Sequence, residues 1–240
     1  TAEDGPGWGI WVYDLQYRVG ELGVWTEWLD STTATSATFG PDDPVTVEEG
    51  ETYYIRIRAR DKATNVAEWG EPETTTVNYQ VVFSVEVASG GVDLDEDNFI
   101  IVSYYLDDPA TPAVDTLWSG HPEALCVIPG SEASYTQLSS ASGTDERWMA
   151  ETPPSWVINS TDPISATYYH QIAPVITLDG TDATHTVSTT SRTIFGATST
   201  ESGLLGSWSD WVDRSSELAF SRATTGTPPL FAIDDTCLLY

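Results

Sequence analysis

The sequence predicts an all-β protein built from tandem sandwich-type domains, and three observations predict it. Segments rich in Val, Ile, Thr and Tyr with period-2 alternation recur along the whole chain. Turn punctuation (DGPG, GPDD, ASGG, DDPATP, LDGTD, TGTPP) separates them at short intervals. No segment carries an apolar i, i+3, i+4, i+7 stripe long enough for a helix. In order, the expected strands lie in YDLQYRV, TYYIRIRAR, TTTVNYQVVFSVEV, FIIVSYYL, ISATYYHQ and THTVSTTSRTIF.

With 240 residues, 40% hydrophobic and 11% aromatic, the chain has enough apolar surface for one large domain or up to three small ones. Its 37 acidic residues against 9 basic ones give a formal charge of -28, which repels nucleic acid and anionic membrane surfaces. Nucleic acid is thereby excluded as a partner. No apolar run of about 18 residues is present for a membrane span, and no basic segment followed by an apolar one opens the chain. The acidity suits a solvated extracellular surface, a salt-rich habitat or a chain whose carboxylates collect divalent cations.

Within TYYIRIRAR the alternation places Tyr54, Arg56, Arg58 and Arg60 on one face and Tyr53, Ile55, Ile57 and Ala59 on the other. The isoleucine face is expected to point inward. The arginines then form a basic ladder on an acidic molecule, salt-bridged or stacked on Tyr13, Tyr17 and Trp25. A structural role is the expectation; a ligand platform of exposed Arg and Trp is the alternative.

Five segments occur in a telling order: YDLQYRV (13–19), WTEWL (25–29), TTATSATFG (32–40), GETYYIRIRARDKATNVAEWG (50–70) and ETTTV (73–77). Together they resemble a fibronectin type III domain of the kind repeated in prokaryotic surface proteins. The resemblance implies an Ig-like sandwich over residues 1–78, with YDLQYRV as strand C, the Trp25–Trp28 segment as C′, TSATF as E, YYIRIRARD as F and TTTV as G. In that family the motif DGPGWGIWVYD follows two strands, A and B, whereas residues 1–8 are polar and turn-like. The expectation is a sandwich short of two strands. Their six or so inward side chains would represent on the order of 10 kcal/mol of burial, comparable to the whole stability of a small domain. Another segment is therefore expected to fill the groove.

The remainder reads as two related modules, 79–152 and 166–240, around a Pro-rich joint at 153–165. NYQVVFSVEV (78–87) parallels YYHQIAPVITL (168–178), and PGSEASYTQLSSASGTDERW (129–148) parallels DRSSELAFSRATTGTPPLF (213–231). The second copy, through YYHQ, ITLDGTD and GSWSDWVDRSSELAFS, resembles sandwich modules strung in tandem in secreted and cell-surface proteins of archaea and bacteria. The joint contains the N-x-S/T sequon Asn159-Ser160-Thr161, a candidate glycosylation site.

The sequence offers little catalytic chemistry. His121, His170 and His185 have no metal-type partners nearby in sequence, and no GxSxG, HExxH or phosphate-loop motif occurs in the right setting. The expectation is a non-enzyme without a resident cofactor. Asp93, Asp95 and Asp97 in DLDEDN have a spacing that can wrap calcium, although Asn98 and Tyr104 stand where an EF-hand needs Gly and Glu. A solvated turn is the alternative. Cys126 and Cys237 are read either as one disulfide or as two thiols.

The C-terminal run TPPLFAIDDTCLLY is apolar where chain ends are usually polar. Leu230, Phe231, Ile233, Leu238, Leu239 and Tyr240 are therefore candidate assembly residues, either as the last strands of the third domain or as a donor strand for the next subunit. The resulting expectation is a secreted structural subunit that polymerises head-to-tail with itself, in the manner of donor-strand pili. The alternative is a fragment of a multidomain adhesin, with glycans among its partners.

Overall fold

The structure is a computed structural model that describes residues 9–40, 45–88, 93–106, 108–178, 185–204, 206–214, 217–224 and 236–238. It is all-β, with no helix among the described residues and none long and apolar enough to cross a membrane. The chain divides into two compact units. One comprises Thr1–Gln80 with Cys126–Gly130 and Ile158–Ser160; the other comprises the rest.

The first unit is built on one antiparallel sheet of β1 (Ile10–Val19), β2 (Thr26–Thr32), β3 (Thr52–Asp61) and β4 (Glu73–Thr76), in the order β2-β1-β3-β4. The β1 and β3 sequences alternate, so their register sets the chemistry of each face. Leu15 lies opposite Ile57 and Tyr17 opposite Ile55, whereas Asp14 lies opposite Arg58 and Gln16 opposite Arg56. Gly20, at φ 68°, allows the tight turn after β1 and donates its N–H to the Thr52 carbonyl at 2.8 Å. Residues 35–39, expected as strand E, do not form a strand. A strand needs a neighbour's main chain, and no described strand pairs with this segment.

From β5 onward the chain forms a pair of sheets. One contains β5 (Tyr79–Val87), β8 (Glu123–Val127), β10 (Glu146–Met149) and β12 (Ile164–Ile172), in the order β10-β12-β5-β8. The other contains β6 (Ile100–Tyr104), β7 (Ala113–Leu117), β9 (Glu132–Tyr135) and β11 (Ser155–Val157), in the order β11-β9-β6-β7. Val81, Phe83 and Val85 of β5 are buried with Ile100, Val102 and Tyr104 of β6. The Phe83 ring stands 6.5 Å from Tyr104 and 6.2 Å from Tyr135 between ring centroids. Tyr135 turns its hydroxyl to the Ser84 and Ile164 carbonyls at 3.2 and 3.3 Å, so a buried polar tip ties one sheet to the other. Burial pushes the Tyr135 and Tyr168 phenols well above their ordinary range.

The internal similarity acquires a different meaning here. β5 and β12, the two strands that head the similar segments, pair in parallel side by side, Ile164 opposite Phe83 and Tyr168 opposite Val87. The segment read as a joint carries β11 and the start of β12, so the sandwich that begins at β5 runs on to Ile172. Its inward residues Ala166, Tyr168 and His170 alternate with outward ones, which is what commits β12 to that sheet.

The chain ends in β13 (Val175–Leu178), β14 (His185–Ile194), β15 (Ala197–Leu204), β16 (Gly206–Ser209), β17 (Val212–Asp213), β18 (Glu217–Thr224) and β19 (Thr236–Leu238). β13 pairs with β16, β17 joins the edge of β12, and the order of the last sheet is β15-β14-β18-β19. Trp208, Val212 and Leu218 are buried together with Ile172, Ile176 and Leu204 around them.

Candidate functional site

The first sheet has two faces of opposite character, and both follow from the β1 and β3 alternation. Tyr13, Leu15 and Tyr17 share the apolar face with Tyr53, Ile55, Ile57 and Ala59. At one end this face is covered. Phe39 packs edge-on against Tyr17 at 5.3 Å, Trp28 at 4.9 Å and Tyr53 at 5.3 Å, and Val45 is buried. The Tyr53 hydroxyl accepts the Glu48 N–H at 2.9 Å, which fixes the loop that follows.

The other end is open. Ile57, which the alternation points inward, is 46% exposed. Beside it runs a groove of about 420 Å³ between Tyr13, Leu15, Trp28, Leu29 and Ile57 on the sheet side and Ala34 to Ala37 on the other. Among the described residues no charged side chain lines it.

The opposite face carries the arginine ladder. Arg18 stands over Tyr54 and Trp25 at 4.6 and 4.8 Å, Arg56 over Trp25 and Trp69 at 4.0 and 4.6 Å, and Arg58 over Trp69 at 4.4 Å. Arg56 also donates to Gln16 Oε1 from Nε at 3.1 Å and Nη2 at 2.7 Å. The ladder ends on Asp14, paired with Arg58 and Arg60, and Arg60 reaches on to Asp30 at 2.8 Å. Burial opposes the charged Asp14, but hydrogen bonds from Arg58, Arg60 and the Ser31 N–H outweigh it and hold its pKa at about 2.

Trp25 stacks as expected; Tyr13 and Tyr17 do not. They lie opposite Ala59 and Ile55 on the apolar face, and Trp69 fills the stacking position instead. Trp69 follows the strand in a loop, so strand alternation did not reveal it.

The remaining candidates are dispersed. Asp93, Asp95 and Asp97 are exposed, and Asp95 Oδ1 accepts the N–H groups of Asp97 and Asn98 at 3.1 and 3.0 Å. That is a side-chain-capped turn. Among the described residues no three of His, Cys, Asp and Glu converge as metal ligands. Asn159 is exposed, as a glycan acceptor requires. Cys126 is an exposed free thiol on β8, and Cys237 lies on β19. Leu230, Phe231, Ile233, Leu239 and Tyr240 lie outside the described residues. Leu238 sits on β19, its backbone paired opposite Glu217 of β18.

Of the histidines, His121 packs at a tilt against Trp118, 4.7 Å between ring centroids. His170 is buried flat against Trp148 at 4.2 Å, with Nε2 2.7 Å from Glu146. Desolvation lowers the His170 pKa more than Glu146 raises it. Comparison of the chain with protein-family models, with curated proteins and with solved structures finds no match to any of them.

Proposed function

We propose that this protein is a structural subunit of an extracellular filament or surface assembly, joined to further copies by β-strand complementation at the open face of its first sheet. One observation carries the reading: a sheet whose isoleucine face, built to be buried, is left with a groove, uncharged among its described lining residues, beside an exposed Ile57. Open apolar faces of this kind are interaction sites or aggregation liabilities, and an added strand covers one with its alternate side chains while its main chain bonds to an exposed edge. A contact between two different surfaces of identical subunits need not close, and so propagates. The net charge of -28 suits a solvated exterior, and the exposed sequon at Asn159 suits a secretory route. The sandwich-type fold and the fibronectin type III resemblance of the first unit agree with a structural task.

The test is electron microscopy and light scattering of the purified chain, wild type and Ile57→Asp. Regular fibrils are expected from the wild type and dispersed particles from Ile57→Asp, because a carboxylate on the groove floor would have to be buried unpaired. Dispersed wild-type monomers at all concentrations would overturn the proposal in favour of a piece of a multidomain adhesin.

A further inference from the structure

We infer that the outer face of the first sheet binds a small oxyanion group, a carboxylate, sulfate or phosphate, at the Arg18–Arg56 end of the arginine ladder. The inference is independent of the filament reading. Its ground is a mismatch between the two ends of one row. The register puts Asp14, Gln16 and Arg18 of β1 on the same face as Arg58, Arg56 and Tyr54 of β3, in that order. At one end Asp14 neutralises Arg58 and Arg60. At the other, neither Arg18 nor Arg56 has a carboxylate within ion-pair distance among the described residues, in a chain where 37 acidic residues face 9 basic ones. Arg56 bonds the neutral Gln16 instead, and Glu27, which β2 sets opposite Gln16, forms an ion pair with neither arginine.

The two guanidiniums are held in place before any anion arrives. Arg18 and Arg56 stand over the same Trp25 ring at 4.8 and 4.0 Å, with Tyr54 4.6 Å from Arg18 and Trp69 4.6 Å from Arg56. Stacking fixes the planes and leaves the edges to donate. Arg18 Nε is shut off from water with no acceptor among the described residues, while its Nη groups lie outside that enclosure. Burial, and then the charges of Arg18 and Arg58, lower the Arg56 pKa, so an anion at this end relieves a repulsion that the fold leaves standing.

The ligand's chemistry follows from what is already used. Trp25 and Trp69 each have two guanidiniums over their rings, so recognition runs through N–H donors aimed at oxygen rather than through a sugar or base stacked on these tryptophans. A guanidinium fork matches two oxygens of a carboxylate, sulfate or phosphate. The net charge of -28 repels a polyanion at long range, which favours a single oxyanion group over a charged polymer.

The experiment is isothermal titration calorimetry of the full chain with sodium sulfate, phosphate, acetate and glucuronate and with neutral methyl glucoside, all in chloride at one ionic strength so that screening is constant. The wild type is expected to bind the anions saturably and the neutral sugar not at all. Glucuronate binding tighter than acetate would point to an acidic sugar as the source, and sulfate or phosphate binding tighter than both to a free ion or an ester; either supports the site. Arg18→Gln is expected to weaken binding by about tenfold or more, and Arg18→Lys, which keeps the charge without the fork, to a lesser degree. Arg147→Gln removes the same charge from an arginine stacked on Trp211 and is expected to change nothing. Melting temperatures check that each variant folds, and Arg18→Lys carries the test if Arg18→Gln does not. No saturable binding by the wild type, equal weakening by Arg147→Gln and Arg18→Gln, or a neutral sugar bound as well as glucuronate would overturn the inference.

Discussion

Asp14 grips Arg60 with both carboxylate oxygens, Nε to Oδ2 at 2.8 Å and Nη2 to Oδ1 at 2.7 Å. The same Oδ2 takes Arg58 Nε at 2.8 Å, and Oδ1 accepts the Ser31 N–H at 3.1 Å. Ser31 has φ 54°, a left-handed conformation that a non-glycine residue adopts only when something holds it. One buried carboxylate thus ends the arginine ladder and secures the irregular end of β2.

The Asp14 pair makes the first unit acid-sensitive. Its folded pKa is about 2, below the ordinary value near 3.8, so the unfolded chain takes up the proton first. The stability it contributes is complete above about pH 4 and declines as pH falls toward 2. A shift of that size corresponds to on the order of 2 kcal/mol. Urea unfolding followed by tryptophan fluorescence from pH 2 to 7 should show this slope in wild type. Asp14→Asn should flatten it and cost roughly 2–4 kcal/mol at pH 7, since two guanidiniums lose their anion.

The sheet of the first unit was legible in the sequence because TYYIRIRAR and YDLQYRV each segregate two chemistries by strict alternation, and pairing them puts like with like. Asp14 was not: an acidic residue between Tyr13 and Leu15 looks like any solvated position until register sets it opposite Arg58. Trp69 was missed because loop positions have no period. The similarity of NYQVVFSVEV to YYHQIAPVITL was visible, but two strands with the same burial pattern can head two domains or lie together in one sheet. Only pairing distinguishes these arrangements, and it depends on contacts far apart in the chain.

Gly50 is a second point of backbone constraint. It has φ +81°, it donates its N–H to the Val77 carbonyl at 2.8 Å, and a Cβ there would run into the Tyr79 side chain. Gly50→Ala should therefore destabilise the first unit by about 2–3 kcal/mol, from left-handed strain and overpacking together. Adding Tyr79→Leu should recover the packing part and leave the strain. Chemical denaturation of the single and double variants measures both.

His170 predicts a second pH dependence at higher pH. Its folded pKa is depressed by burial, so on acidification the unfolded chain protonates first, near the ordinary value of 6.5. Stability is complete above about pH 6.5 and falls as pH drops toward the lower folded value. His170→Phe keeps an aromatic ring on Trp148 and leaves Glu146 paired with Arg214 at 2.8 Å, but removes the proton site. Melting temperatures of the variant between pH 7 and 5 should vary less than those of wild type. An equal slope in both would place the pH dependence on other groups.

The ladder is best tested through geometry rather than charge. Arg56 lies between Trp25 and Trp69 and sends two N–H groups to Gln16, so its planar fork is used on its faces and its edge at once. Lysine keeps the charge but has no plane to stack and no fork to offer. Arg56→Lys should cost about 1–2 kcal/mol, close to the cost of Arg56→Ala, and Trp69→Ala should cost a similar amount. A double-mutant cycle between positions 56 and 69 should give a coupling of about 0.5–1 kcal/mol that survives high salt, because stacking is screened less than an exposed ion pair. A coupling that vanishes in high salt would mean that these residues meet only through long-range charge, and the ladder would then be a solvated basic stripe rather than a packed spine on the outer face of the sheet.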